Sequence, residues 1–147
     1  MEEKMLVQAI LRNKPPGFVS VPSAMAISGV VNVLAQKGIG AVIVVDNDEL
    51  VGILSERDVV RSLARRAADT LSLTAADLMT REPTTGTPET TVEQAMEMMT
   101  EGHFRHLPIV ADGKLLGLVS IGDVVKARID QSLHEVETLR TYVAGSV

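Results

Sequence analysis

Two short strings in this chain place reactive side chains at a fixed spacing: Gly52-Ile53-Leu54-Ser55-Glu56-Arg57-Asp58 and Gly117-Leu118-Val119-Ser120-Ile121-Gly122-Asp123. Each runs through an apolar pair to a Ser, with an Asp three residues on. A Ser-x-x-acid before an apolar run is a capping box, in which hydroxyl and carboxylate satisfy backbone N–H groups at a helix start. An acid in the first turn also suits the helix dipole. The same geometry offers a second chemistry. A helix N-terminus presents unpaired N–H groups to an anion. A carboxylate beside it can accept hydrogen bonds from both ribose hydroxyls, as acids do in dinucleotide sites. Both readings stand, and the recurrence of the string weights the nucleotide one. Val42 and Ile43 upstream of one string, and Leu107 and Pro108 upstream of the other, are placed to sandwich a base.

Phosphates need cations, and the candidates are Arg57, Arg105 and His103, while Lys126 and Arg81 read better as solvated surface residues. Arginine suits bidentate phosphate contacts, and Arg57 lies inside a string at a helix start. Glu56, Arg57 and Asp58 side by side have no accompanying nucleophile–base pair, and neither Ser55 nor Ser120 has a His with a reason to be near it. No catalytic residue is assigned. His103 and His106 invite a metal reading. A three-residue step along an extended chain points the two imidazoles to opposite faces, however, and only carboxylates or a substrate would complete such a site. No metal is expected.

The elements that must position these strings come in two copies. Gly40–Val60 lies over Arg105–Val125 without a gap at a constant offset of 65, with Val45/Val110, Leu50/Leu115, Gly52/Gly117, Ser55/Ser120, Asp58/Asp123, Val59/Val124 and Val60/Val125 identical. Upstream, Ala26–Lys37 lies over Thr91–Gly102 and Val19–Val21 over Thr84–Gly86. Ile10-Leu11 resembles Leu78-Met79, but the first copy holds three more residues in between. Each copy reads as a helix with apolar residues at helical spacing, a β-branched strand, a turn (Asp46-Asn47-Asp48 or Asp112-Gly113), a second strand ending at the Ser, and a helix. Neither half is large enough to be comfortable alone.

The repeated Gly-apolar-apolar-Ser-x-x-Asp string, with His106-Leu107-Pro108-Ile109-Val110 upstream, resembles a tandem pair of cystathionine-β-synthase-type (CBS) domains, a Bateman module. The resemblance covers about residues 8 to 130. It implies an α+β fold of two β-α-β-β-α repeats (8–70 and 71–130) packed with pseudo-twofold symmetry, followed by a helical tail over 131–147. It also implies an adenosine-containing ligand (AMP, ADP, ATP or a dinucleotide) in the cleft between repeats, with no obligatory cofactor and a regulatory rather than enzymatic role. By resemblance, Ser120 and Asp123, and Ser55 and Asp58, contact phosphate and ribose. Phe104 through Pro108, including Arg105 and His106, border the base, and Thr85 lines it through its backbone. The first copy departs from the pattern, with Gly40 at the place of Arg105 and Ile43 at that of Pro108. The second-repeat site is therefore favoured.

Composition bounds the rest. The chain has 147 residues, net charge −5, 46% hydrophobic residues, no Cys, and only Phe18, Phe104 and Tyr142 as aromatics. Without Cys there are no disulfides, thiolate metal sites or thiol catalysis. Acidic balance and few stacking rings argue against nucleic acid. The uncharged stretch Pro15–Gln36 is long enough to span a bilayer, but Pro22 and several polar residues break it. A cytoplasmic protein is expected. Past Asp123 an apolar stripe, Val125, Ile129, Leu133, Val136, Leu139 and Val143, continues beyond the complete repeat. A homodimer contact through this tail and a separate effector protein are expected. The alternatives are an interaction module without a ligand, and a binder of NAD(H) or S-adenosylmethionine.

Overall fold

The computed structural model describes residues 4–145. The β-branched runs form two antiparallel hairpins: β2 (Ala41–Asp46) with β3 (Glu49–Ser55), and β5 (His106–Ala111) with β6 (Lys114–Ser120). Their two-residue turns take left-handed φ at both positions, 51° and 63° at Asn47 and Asp48, 52° and 75° at Asp112 and Gly113. Such turns match the twist of the paired strands, and Asn, Asp and Gly tolerate them best. Ala41 faces Ser55 as His106 faces Ser120, and each ladder shifts register at the same place, Val44/Val45 and Ile109/Val110. The 65-residue repeat is thus obeyed down to the irregularity in each hairpin.

α2 (Ile27–Lys37) and α5 (Val92–Gly102) precede these hairpins. Gly38 stops the first in a left-handed conformation, φ 61°, and His103 stops the second, φ 55°, so carbonyls at both ends find donors. The short β1 (Ser20–Val21) runs parallel to β2, pairing Val21 with Val44, and Gly86 bridges Ile109 at the corresponding place. α3 (Glu56–Arg66) and α6 (Ile121–Gly145) follow the hairpins. The segment between repeats holds three elements not read from the sequence: a 3-10 helix (Ala67–Ser72), α4 (Ala75–Leu78), and β4 (Thr80–Arg81), which pairs with β3.

Two apolar cores result, and they exchange partners. α1 (Val7–Arg12) opens the chain, yet its Val7 and Ile10 pack with Val92, Ala95, Leu107, Ile109 and Val124 of the second repeat. Val7 N–H donates to Thr90 O. α4 completes the first repeat, with Ala75 buried beside Val21, Ile27, Val42 and Leu54. The packing units therefore do not follow the sequence boundaries at 70/71. Across the middle, β3 lies against β6. α6 begins buried at Val124 and Ala127, then leaves the core. At about 1.5 Å per residue its 25 residues reach roughly 37 Å.

Candidate functional site

The Ser–Asp strings sit where a strand ends and a helix begins, as the capping reading requires. Asp58 Oδ2 accepts from Ser55 N–H at 2.8 Å and from its hydroxyl at 3.1 Å, and Asp58 N–H returns to Ser55 Oγ at 3.4 Å. Asp123 Oδ2 accepts from Ser120 N–H at 2.9 Å, and Asp123 N–H donates to Ser120 Oγ at 3.1 Å. In both copies capping uses Oδ2 alone. Among the described residues Oδ1 takes no hydrogen bond, and a carboxylate oxygen accepts two. Capping and ligand binding are therefore compatible on the same side chain.

Two cavities lie between the repeats, of about 360 and 730 Å³, within the span of small-molecule sites. The first takes Ser55, Arg57, Asp58 and Arg61 from β3 and α3. Glu82, Pro83 and Thr84 come from the connecting segment, and His103, Phe104, Arg105 and His106 from the junction of α5 and β5. The second takes Ser120 from β6, Lys14 to Val19 from the N-terminal segment, and Gly38 to Ala41 from the junction of α2 and β2. Each cavity thus combines a Ser–Asp string from one repeat with the loop ahead of the long strand of the other.

This exchange regroups the residues read from sequence. Phe104, Arg105 and His103 join Ser55 and Asp58, not Ser120 and Asp123. Gly40, which stands in the place of Arg105, lines both cavities, and the loop it belongs to brings no arginine to the second. Pairing each string with the loop of its own repeat hid this. His103 is not part of an extended run. Its left-handed turn brings it to the same cavity as His106, so the opposite-face argument fails there. Val42, Ile43, Leu107 and Pro108 do not line either cavity. Both faces of their strands are covered and all four are buried. Thr85 also lies off the lining, which its neighbour Thr84 supplies. Neither Lys126 nor Arg81 lines a cavity.

Phe104 lines the first cavity and Phe18 the second. Two of the chain's three aromatics are thus spent there. Gly102 allows the first placement: a Cβ on it would collide with the Phe104 ring. Sequence reasoning passed over Phe18, Arg61 and Lys14. For Lys14 a signal existed, because Lys14-Pro15 aligns with Glu82-Pro83 when the three extra residues are placed after them. The equivalent positions carry opposite charges.

The electrostatics differ accordingly. Lys14 Nζ pairs with Asp123 Oδ2 at 2.8 Å and donates to Leu118 O at 2.9 Å. Burial pushes the Asp123 carboxyl up, but Lys14 and the Ser120 N–H outweigh it and hold it below its ordinary value. His106 lines both cavities. Its imidazole is held below its ordinary pKa chiefly by burial, against the opposing pull of Glu56 and Asp123, so the neutral form prevails near pH 7. At the head of α3, Glu56 N–H is taken by Gly40 O at 2.9 Å and Asp58 N–H by Ser55. That of Arg57 has no acceptor among the described residues. A helix start, two flanking arginines and Arg105 together suit an anion.

The CBS domain family matches this chain twice, at residues 9–65 and 75–130. The chain belongs to the CBS-domain family. Its two repeats and C-terminal helix are those of a CBS pair. A mitochondrial CBS domain-containing protein of Arabidopsis thaliana, CBSX3, is 38% identical over 117 residues, 76% of this chain and 57% of that protein. The chain therefore spans a little over half the length of that relative. A CBS-domain containing protein from Agrobacterium tumefaciens superposes with TM-score 0.82 at 38% identity, covering 84% of this chain and 99% of that one. A CBS domain protein from Pyrobaculum aerophilum, complexed with AMP, gives 0.72 at 28% identity over 81% and 89%. The CBS domain pair of protein MJ0100, complexed with 5′-methylthioadenosine and S-adenosyl-L-methionine, gives 0.77 at 25% over 88% and 99%. Among the described residues no helix is long and apolar enough to cross a membrane.

Proposed function

We propose that this chain is a regulatory module that binds an adenosine-containing ligand between its CBS repeats and passes the bound state to a partner protein. The observation that carries this reading is the first cavity. It gathers a ribose-type acceptor (Asp58), an aromatic wall (Phe104), and Arg57, Arg61 and Arg105 around one helix start. The AMP, methylthioadenosine and S-adenosylmethionine complexes of other CBS pairs support the choice of adenosine. The arginines favour a phosphate-bearing member of that class. Ser55 Oγ and Ser120 Oγ are both engaged in capping, which argues for binding without turnover.

A thermal-shift panel of AMP, ADP, ATP, NAD(H) and S-adenosylmethionine tests it. A phosphate-bearing adenosine should raise the melting temperature at millimolar concentration, by linkage to the folded state. No shift with any of the five overturns the reading in favour of an interaction module. The exposed stripe Ile129, Leu133, Val136 and Leu139 on α6 supports a homodimer joined through the tail. Light scattering should give twice the 15.7 kDa chain mass.

A further inference from the structure

Asp58 lines the first cavity directly, with no cation on it. Asp123 does not line the second, because Lys14 stands there in its place. The Lys14 side chain is 38% exposed and that of Asp123 26%, so the pair borders the cavity without being sealed from water. Two of the three ammonium donors are occupied, by Asp123 Oδ2 and Leu118 O, which leaves one for a newcomer. The equivalent position in the first cavity is Glu82, which cannot play this part.

We infer that Lys14 is a specificity-determining residue that makes the second cavity selective for nucleoside 5′-phosphates over uncharged or cationic nucleosides. The inference rests on reading Asp123 as a ribose acceptor. A neutral nucleoside offers hydroxyls in exchange for an ammonium, which leaves that ammonium at the cavity edge without a counter-ion. Breaking a partly buried ion pair in this way is unfavourable. A phosphate on the 5′ carbon reverses the balance: Lys14 transfers to it, and the ribose hydroxyls take over Asp123. The ammonium thus keeps an anion, and the Asp123 carboxylate exchanges its ion pair for charge-assisted hydrogen bonds from the hydroxyls. A sulfonium such as that of S-adenosylmethionine repels the displaced ammonium and is refused.

The test uses the full chain carrying Asp58→Ala, so that only the second cavity is read, and compares AMP with adenosine by isothermal titration calorimetry. Lys14→Met keeps the stem and removes the charge. We expect AMP to bind at least about tenfold tighter than adenosine with Lys14 present. In Lys14→Met the ratio should collapse to near unity, adenosine gaining while AMP loses. Lys14→Arg, which retains the cation, should restore the preference and guards against a simple folding defect. An AMP-to-adenosine ratio unchanged by Lys14→Met overturns the inference alone. Failure of both ligands to bind in every one of these proteins overturns the ribose reading beneath it as well.

Discussion

The two cavities share one backbone plan and meet a ligand in opposite states. In the first, Asp58 lines the cavity together with Arg57, Arg61 and Arg105, and with the acids Glu56 and Glu82. In the second, the carboxylate of Asp123 is already neutralised by Lys14, and no arginine lines the wall. The hairpins match to the residue, including the register shift in each ladder, so the divergence is confined to side chains at the loops. Backbone symmetry produced two clefts, and charge at three or four positions gave them different linings.

Removing the acceptors breaks that comparison most severely. Asp58→Ala should weaken AMP binding in the first cavity by about 10- to 100-fold, the loss expected when hydrogen bonds to a charged acceptor vanish. Asp123→Ala should leave that site intact. Equal losses in calorimetry would merge the two cavities into one functional class. Arg105→Gly, which gives this position the residue its equivalent Gly40 already has, should cost AMP about tenfold and adenosine almost nothing, since only a charge-assisted phosphate contact is lost.

The glycines at the strand centres sharpen the comparison in the cores. A Cβ on Gly52 would meet Met79 Sδ at 2.6 Å and Thr80 O at 2.9 Å, whereas one on Gly117 meets only Leu11 Cδ2 at 2.9 Å. A backbone carbonyl held in β4 yields less than a leucine methyl. Gly52→Ala should therefore destabilise by about 1–3 kcal/mol and Gly117→Ala by less, as read by urea unfolding.

Acid gives the smallest effect. Below its ordinary value of about 6.5 an unfolded histidine takes a proton that buried His106 resists. Stability should thus fall as pH drops through that value. Asp123, held low in the folded chain, adds a second loss as pH falls below about 4, through its ordinary value and on to its folded one. Lys14→Met should flatten this lower limb, and an unchanged limb would assign it to other carboxylates.

Most of the fold was legible because repetition made each element testify twice. The hairpins, their turns, α2, α3, α5 and the long α6 all follow from apolar period and offset. β4 was not legible, since two residues, Thr80 and Arg81, carry no pattern of their own and pair only because β3 leaves an edge beside them. At the candidate site the strings were readable as chemistry. Their partners were not, because which loop meets which string is a property of how the repeats face one another. Val42, Ile43, Leu107 and Pro108 looked like walls in one dimension and are interior in three. Lys14 sat in the stretch where the repeat breaks, and a salt bridge 109 residues long in sequence leaves no local trace.

The exchanged helices impose an order on how the chain is built. No contiguous half contains a whole core: the first repeat waits for Ala75, and the second waits for its own strands to reach back to Val7 and Ile10. On the ribosome α1 is made well before the elements that house it. Closing that long loop carries an entropic cost that grows slowly with length but delays the contact that rewards it. α1 thus acts as a clasp, and clipping it should loosen the far repeat before the near one.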